Sequence, residues 1–241
     1  MPAATDGVGR GGWNCGMDDV VIYGAGGLGC LVQDILQQGG RYRAVAFLDS
    51  NPELHGRMVA GLRVQGGIEE VDRLLRSGIS HAIVAIGDNV SRVTLAEKLR
   101  ARHMQLISAI HPLASLSPSA VVAEHVIVGP RAIVCVHARI GPHSVLSAGA
   151  ITEHDNVIGK GAFLEPAVRL AGHVTVADFA AIGIGACVIP GCHVGRGARV
   201  VPGAVVIRDV PPNAIVAGIP AAVRRPTHSR FIPEPDPVYQ I

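Results

Sequence analysis

The sequence predicts a Rossmann-like α/β domain with a parallel sheet, followed by a parallel β-helix built from hexapeptide repeats. From Val20 to Ser108, short aliphatic runs alternate with helix-like stretches, the pattern of an α/β unit. From Leu116 onward the period is six residues, which is typical of β-helices. The chain has 30 glycines among 241 residues but only four Phe, three Tyr and one Trp. We therefore expect a core of small and aliphatic side chains.

The elements of the first domain follow from its aliphatic runs. VVIY (Val20–Tyr23) predicts the first strand, and GAGGLG (Gly24–Gly29) predicts a glycine-rich loop before an amphipathic helix that runs to Gln38. AVAFLD (Ala44–Asp49) predicts the second strand. Two further strands are predicted at His81–Ile86 and Gln105–Ile110, and two helices near Ile68–Arg76 and Ser91–His103.

The hexad pattern of the second part is strong. Counting in sixes from Leu116 to Val206 gives sixteen positions, of which fifteen are aliphatic, and the fifth residue of each hexad is small in all but one case. Three hexads make one triangular coil, so we expect about five stacked coils, with Gly and Pro at the corners. A β-sandwich is disfavoured because its strands alternate with period two.

Both exceptions to the hexad pattern, Thr152 and Asn156, fall in the hexad that contains His154 and Asp155. An imidazole beside a carboxylate is suited to general-base chemistry, because the carboxylate fixes the tautomer and favours the charged form. The alternative is a surface histidine in a turn. The shared interruption favours a functional role, since local rules tend to fail at functional sites.

Residues eighteen apart should stack in one column of a three-sided helix. This arithmetic puts Gly172 above His154 and Val136 below it. A glycine there leaves an open notch whose backbone N–H could serve as an oxyanion donor for acyl transfer. The adjacent column contains His137, Asp155 and His173; the two histidines either orient Asp155 or line a solvated edge.

Charge and cysteine usage exclude several function classes. The net charge of +2 forms no basic stripe, so neither nucleic-acid nor membrane binding is expected. The longest uncharged stretches, Met104–Ala123 and Phe179–Gly195, contain proline and polar residues, which suits no bilayer span. Five cysteines without CxxC spacing argue against a disulfide framework and a zinc knuckle. A reducing cytoplasm fits best.

Six histidines lie in the repeat region, so a zinc carbonic anhydrase of the hexapeptide-repeat type is one alternative. Its site takes three histidines, two of them close in sequence, with the third contributed across a subunit boundary. The chain offers no persuasive triplet of this kind, and we predict no metal.

Several motifs together resemble one family. They are GAGGLG, FLDSNP (Phe47–Pro52), AIGDN (Ala85–Asn89), IHP (Ile110–Pro112), the hexads, EHDNVIG (Glu153–Gly159) and VAGIPA (Val216–Ala221). Over Val20–Arg225 the chain resembles bacterial sugar acyltransferases of the sialic acid O-acetyltransferase and UDP-4-amino-sugar N-acetyltransferase type. The resemblance implies a left-handed β-helix and a homotrimer that binds acetyl-CoA between neighbouring β-helices.

The resemblance also implies roles for single residues. His154 matches the catalytic base, Asp155 the acidic neighbour that raises its basicity, and Gly172 the glycine whose N–H faces the thioester carbonyl. Ile184 and Pro202 are expected to line the coenzyme A groove through backbone contacts.

The glycine-rich loop resembles the family's site for the nucleotide-sugar. Gly24, Gly26 and Gly27 permit close approach of backbone N–H groups to a pyrophosphate at a helix N-terminus. Asp49 would then hydrogen-bond the base or ribose. An NAD site is the alternative, but nothing later in the chain offers hydride chemistry.

The chain departs from many relatives at Leu28, Ser50 and Phe163, where they carry His, Asp and His. FLEPA (Phe163–Ala167) also replaces a His-x-x-Pro-Gly pattern. Because of these departures, the sequence does not identify the nucleotide, the sugar or the acyl group.

The predicted organisation is a disordered segment (1–17), a Rossmann-like nucleotide-sugar-binding domain (18–110), a β-helix acyltransferase domain (111–225) and a tail (226–241). The predicted function is direct acetyl transfer from acetyl-CoA to the amino group of a nucleotide-linked amino sugar, with His154 as base. The alternatives are O-acetylation of sialic acid or another free sugar, and a non-catalytic trimeric scaffold.

Overall fold

The computed structural model describes residues 17–226. The segment predicted to be disordered (1–17) and the predicted tail (226–241) therefore lie outside the described residues, apart from Met17 and Pro226.

The N-terminal domain is a four-stranded parallel sheet with helices on both sides. Its elements are β1 (Asp18–Tyr23), α1 (Gly27–Gly39), β2 (Tyr42–Leu48), β3 (Met58–Val59), β4 (Leu62–Arg63), α2 (Val71–Arg76), β5 (His81–Val84), α3 (Asn89–Ala101) and β6 (Gln105–Leu106). The sheet order is β2-β1-β5-β6, and β3 and β4 form a separate hairpin. Each helix of residues 17–226 is too short or too polar to cross a lipid bilayer.

Alternate residues of β1 face two different apolar cores. Val20 and Ile22 pack with residues of α1, whereas Val21 and Tyr23 pack with residues of α2 and α3. A strand that is buried on both faces explains why VVIY is a continuous aliphatic run.

The predicted strand Gln105–Ile110 is divided between the two domains. Gln105–Leu106 pairs with β5, but Ala109–Ile110 pairs with Ile127–Val128 of the β-helix. The β-helix strands therefore begin two residues before the predicted boundary at residue 111. A continuous aliphatic run does not reveal a change of sheet, because both halves are buried in similar surroundings.

The β-helix has three flat faces, each a sheet of short parallel strands. The first face contains Ala109–Ile110, Ile127–Val128, Val145–Leu146, Phe163–Leu164, Ala181–Ile182, Arg199–Val200 and Ala214–Ala217, with Ala222–Pro226 added antiparallel. The second face contains Ser115–Leu116, Ile133–Val134, Ile151–Thr152, Arg169–Leu170, Cys187–Val188 and Val205–Val206. The third face contains Val121–Val122, Arg139–Ile140, Val157–Ile158, Thr175–Val176 and His193–Val194.

Except for the last parallel pair of the first face, Arg199 with Ile215, the parallel strands on each face pair at intervals of eighteen residues, as Ile133 with Ile151 and Ile151 with Arg169. The predicted coil length is confirmed. The side chains of the hexad positions fill the interior as one continuous aliphatic core. Thr152 and Asn156 occupy the two interior positions that are aliphatic and small, respectively, in other hexads, and both are fully buried.

The turns between faces form three corners. The first corner joins the first and second faces, the second corner joins the second and third, and the third corner joins the third face to the first face of the next coil. One residue of many turns is left-handed, including Asp155 at φ 58° and His173 at φ 59°. Asp and His adopt this conformation more readily than most side chains.

The N-terminal domain packs against the first face and the third corner. Ile127 and Val145 of the first face share a core with α1. Arg92 of α3 is fully buried there, and burial lowers its pKa to about 9, so it stays charged at pH 7. Its guanidinium donates to the carbonyl oxygens of His143 and Gly161, each at 2.9 Å. A buried cation with several acceptors ties the two domains together.

Two buried histidines of the third corner complete this contact. The backbone N–H of Val84 in β5 donates to His125 Nε2 at 2.9 Å, and His125 Nδ1 lies 2.9 Å from His143 Nδ1. Burial holds the pKa of His125 well below its usual value and lowers the pKa of His143 to about 4. Both imidazoles are therefore neutral at pH 7, and their tautomers are fixed by the chain of donors.

Candidate active site

His154 and Asp155 are the two turn residues of one coil at the second corner. His154 Nδ1 lies 2.8 Å from Asp155 Oδ2. Because an ionised carboxylate only accepts hydrogen bonds, Nδ1 carries the proton and donates it to this bond. The other ring nitrogen, Nε2, is thereby left with a free lone pair, as a general base requires.

The coils on either side hold this turn in place. The N–H of Asp155 donates to the carbonyl of Val136 in one adjacent coil, and the N–H of His173 donates to the carbonyl of His154 from the other, each at 3.0 Å. The backbone of the histidine and aspartate is thus fixed by the β-helix rather than by a free loop.

Asp155 is surrounded by three imidazoles. His137 Nδ1 lies 3.3 Å from Asp155 Oδ1, and His173 Nε2 lies 3.8 Å from Asp155 Oδ2. The hydrogen bond from His154 lowers the pKa of Asp155 most, the charges of His173 and His137 lower it further, and desolvation acts in the opposite direction. Of the two alternatives for these histidines, the contacts favour orientation of Asp155 over a purely solvated edge.

Gly172 lies directly against the ring of His154. A Cβ built on Gly172 would collide with Cε1 and Nε2 of that ring, so only glycine leaves room for the imidazole in this position. Within residues 17–226, the N–H of Gly172 makes no hydrogen bond. A base nitrogen and an unused N–H donor therefore lie side by side, which is the pair of groups that acyl transfer needs.

His154, Asp155 and His173 also bring three potential metal-ligating atoms within 4.8 Å of one another. The sequence analysis placed Asp155 and His173 in one column but found no persuasive histidine triplet, and it predicted no metal. The 2.8 Å separation of His154 Nδ1 and Asp155 Oδ2 is that of a hydrogen bond, which accounts for the closeness of two of these three groups.

The fold of both domains occurs in solved structures. The chain has 36% identity and a TM-score of 0.83 to a mutant of GDP-perosamine N-acetyltransferase from Caulobacter crescentus in complex with CoA and GDP-perosamine, covering 87% of this chain and 98% of that one. The chain belongs to the bacterial sugar acyltransferase family. The fold class predicted from the sequence is confirmed, including the left-handed β-helix.

Two further matches agree with membership of the sugar acyltransferases. The acetyltransferase domain of PglB from Neisseria gonorrhoeae, in complex with acetyl coenzyme A, has 29% identity and a TM-score of 0.81, covering 86% of this chain and all of that one. UDP-N-acetylbacillosamine N-acetyltransferase from Bacillus subtilis is 34% identical over 113 residues, 46% of this chain and 51% of that protein.

Residues 19–99 match the family of the PglD N-terminal domain. The curated relatives are matched over 21–51% of their own length.

In this sugar acyltransferase, the first glycine of the glycine-rich loop packs against the protein, whereas the later glycines have free space beside them. Gly24 has φ 116°, and a Cβ there would lie 2.5 Å from the carbonyl oxygen of Ala85, whereas Gly26 and Gly27 have no atom of the described chain within 4 Å of such a Cβ. Among residues 17–226, no side chain caps the N-terminus of α1. The open part of the loop thus leaves room for a phosphate near the first N–H groups of the helix.

Asp49 makes two contacts that the sequence did not predict. Its Oδ2 accepts from the N–H of Ala25 and its Oδ1 from the N–H of Asn51, each at 2.8 Å. Asp49 therefore holds the glycine-rich loop against the end of β2, and any bond to a base or ribose would be additional to these two.

Ile184 and Pro202 occupy successive coils of the first corner, and Ile184 is 53% exposed. The N–H of Ile184 donates to Glu165 Oε2 at 2.9 Å, and its carbonyl accepts from the N–H of Gly203 at 2.8 Å. Coenzyme A would have to displace Glu165 to reach the Ile184 N–H. The sequence signalled this only as the unusual FLEPA stretch, of which Glu165 is part.

Phe163, the third departure, lies on the first face. It packs against the core of the N-terminal domain, with the guanidinium carbon of Arg92 5.4 Å from the ring centroid. In this chain Phe163 therefore contributes to the contact between domains.

The structure brings His154, Asp155 and Gly172 together but keeps the glycine-rich loop away from them. The N-terminal domain packs on the first face and third corner, whereas His154 lies at the second corner, opposite the first face. Within one chain, a nucleotide on the loop and the base at position 154 are on different sides of the β-helix.

The hydrogen bond between Asp155 and His154 predicts a pH-dependent effect on stability. Because the folded pKa of Asp155 is below its unfolded value, the ionised carboxylate stabilises the folded state above about pH 4, and this contribution is lost as the pH falls through the folded pKa. We expect Asp155→Asn to have a lower Tm than wild type at pH 7 and a difference that shrinks below about pH 4. Thermal unfolding from pH 7 to pH 3 measures this. A gap that stays constant over this range would contradict it.

Proposed function

We propose that the chain is an acetyl-CoA-dependent N-acetyltransferase that acts on the amino group of a nucleotide-linked amino sugar. The observation that carries this proposal is the pairing of His154 Nε2 with the unused N–H of Gly172 on an open corner of the β-helix. The similar enzymes from Caulobacter and Bacillus are both named as amino-sugar N-acetyltransferases, which supports the class of acceptor.

The reaction proceeds in two steps without a covalent enzyme intermediate. The sugar amine adds to the thioester carbonyl, and His154 Nε2 takes the proton that the nitrogen loses. The Gly172 N–H donates to the oxyanion, and Asp155 stabilises the imidazolium. When the tetrahedral intermediate collapses, the carbon–sulfur bond breaks and the imidazolium returns the proton to the coenzyme A thiolate. The products are an amide and free coenzyme A.

We infer that a second copy of the chain completes the site, in the homotrimer that the family resemblance implies. The separation of the glycine-rich loop and His154 within one chain supports the need for a second copy, since a nucleotide-linked sugar must reach both. Val136, one coil from His154 and 48% exposed, and Val121, 61% exposed, offer apolar surface near the second corner for such a contact.

The free thiols of Cys30, Cys135, Cys187 and Cys192 agree with a reducing, cytoplasmic location.

Ligand-dependent stabilisation tests the two-substrate proposal. We expect acetyl-CoA and one of UDP, GDP or dTDP each to raise the Tm, because a ligand at about 100 times its Kd adds about 2.7 kcal/mol to the stability of the folded state. NAD serves as the control and should have no effect. Stabilisation by acetyl-CoA alone would favour O-acetylation of a free sugar, and a response to none of them would favour a scaffold without catalytic function.

A further inference from the structure

Asn156 is a polar side chain in the largely apolar interior of the β-helix. It is fully buried at the hexad position that is small in every other hexad. Its Oδ1 accepts a hydrogen bond of 2.7 Å from the N–H of Val174 in the next coil. Its Nδ2 is buried without a hydrogen-bond partner among residues 17–226. An unpaired buried amide carries a desolvation cost, so the residue needs a reason beyond packing.

The bond to Val174 replaces the ordinary bond of the β-helix turn. In most turns, the N–H of the equivalent residue donates to the carbonyl three residues earlier, as in Ala138 to Cys135, Ala150 to Ser147, Ala180 to Ala177 and Ala198 to Gly195 at 3.0–3.3 Å. For Val174 that carbonyl would belong to Ala171. Asn156 takes the N–H instead, and within residues 17–226 the Ala171 carbonyl has no hydrogen bond.

The freed carbonyl belongs to the same peptide plane as the N–H of Gly172, because each peptide unit is rigid. In an ordinary turn the bond to this carbonyl would fix the tilt of the plane and hence the direction of the Gly172 N–H. Here the turn is held from inside the β-helix by Asn156, and the Ala171–Gly172 peptide remains available to present its N–H beside the ring of His154.

We propose that Asn156 is a positioning residue for acetyl transfer. By holding Val174, it keeps the turn at residues 171–174 open so that the Gly172 N–H meets the oxyanion. This inference rests on the proposed function. It also gives a reason for the irregular residue at position 156 in the hexad of His154.

Asn156→Ala should lower kcat by about 10- to 100-fold, because one oxyanion donor is worth about 10²–10³-fold and the variant misaligns it without removing it. KM for acetyl-CoA and for the amino sugar should stay within about twofold, since the interaction is made only in the transition state. The Tm should not fall, because one adjacent coil has alanine at this position, Ala138, and the N–H of Val174 can then form the ordinary turn bond to the Ala171 carbonyl. The pH profile of kcat should be unchanged, as Asn156 does not contact His154.

Two variants make the test specific. Asn156→Ser should recover most of the kcat, because Ser108 Oγ, at the same hexad position, accepts from Val126 N–H one coil on at 3.0 Å. Ser144→Ala is the matched control; Ser144 is also buried at this position, but its hydroxyl donates to the carbonyl of Gly159, and its loss should leave kcat unchanged.

Wild-type kcat in Asn156→Ala, or equal losses in Asn156→Ala and Asn156→Ser, would overturn the positioning role while the proposed function stands. A loss of kcat that comes with a large fall in Tm would also overturn it, in favour of a structural role. If the wild-type protein transfers no acetyl group to any amino sugar, the proposed function fails, and this inference fails with it.

Discussion

Replacement of His154 by alanine is expected to reduce kcat for acetyl transfer by about 10²–10⁴-fold, the range over which a positioned general base contributes. The reason is that Nε2 is the base nitrogen beside the Gly172 N–H, while Nδ1 is committed to Asp155 at 2.8 Å. The His154 side chain is about half exposed, so the variant should still fold, and its Tm at pH 7 should fall by no more than that of Asp155→Asn, which loses the same hydrogen bond. Steady-state kinetics with acetyl-CoA and an amino-sugar acceptor measure the effect.

His193→Ala is the matched control, because His193 is another exposed histidine of the β-helix but lies on a strand of the third face. It should retain wild-type kcat. More than a few per cent of wild-type activity in a folded His154→Ala variant would show that another group serves as the base.

Gly172→Ala is expected to have the second largest effect, a loss of about 10²–10³-fold in kcat. The added methyl group would occupy the space of His154 Cε1 and Nε2, so the ring must move away from the N–H that is expected to hold the oxyanion. Unlike many glycines of the β-helix turns, Gly172 does not have a positive φ. The variant therefore tests the close approach of the His154 ring to Gly172 and not the backbone conformation of the glycine.

Gly149→Asn controls for substitution of a turn glycine. Gly149 has φ 65°, and the space that a new side chain would enter is free of other described atoms; asparagine also tolerates the left-handed conformation. This variant should keep its activity. If Gly172→Ala turns over at the wild-type rate, the glycine is required neither for the oxyanion nor for the placement of His154.

The sequence was sufficient to predict the coil, because period six and its multiple of eighteen are set by backbone geometry alone. The adjacency of Gly172 to His154 follows from that count, as does the column of His137, Asp155 and His173. The roles of these residues in catalysis remain predictions that the variants above test.

Contacts between domains could not be predicted in this way. Arg92 has the charge of an exposed helix residue, yet it is buried against carbonyl oxygens of the third corner. Phe163 was noted from the sequence only as a departure from relatives that carry His, and it packs on the N-terminal domain. Both placements depend on how the two domains dock, and hexad counting carries no information about the partner that covers an outward-facing residue.

Side chains that bond to a neighbouring segment of backbone were also missed from the sequence. Asp49 was predicted only as a nucleotide ligand, and the sequence did not show that both of its oxygens also hold backbone N–H groups. Glu165 attracted notice only through its unusual motif, although it accepts from the N–H of Ile184. In each case the sequence motif indicates a polar side chain at an unusual position, but it does not indicate which backbone group forms a hydrogen bond with that side chain.

Acetyl transfer to a sugar nitrogen is tested by characterising the product of the reaction. Wild-type protein would be incubated with acetyl-CoA and a GDP- or UDP-linked 4-amino sugar, and the acetyl group located by mass spectrometry with fragmentation. We expect one acetyl group on the nitrogen for each coenzyme A released. An acetyl group on a hydroxyl, or no acetylated sugar from a protein that binds both ligands, would contradict the proposed function.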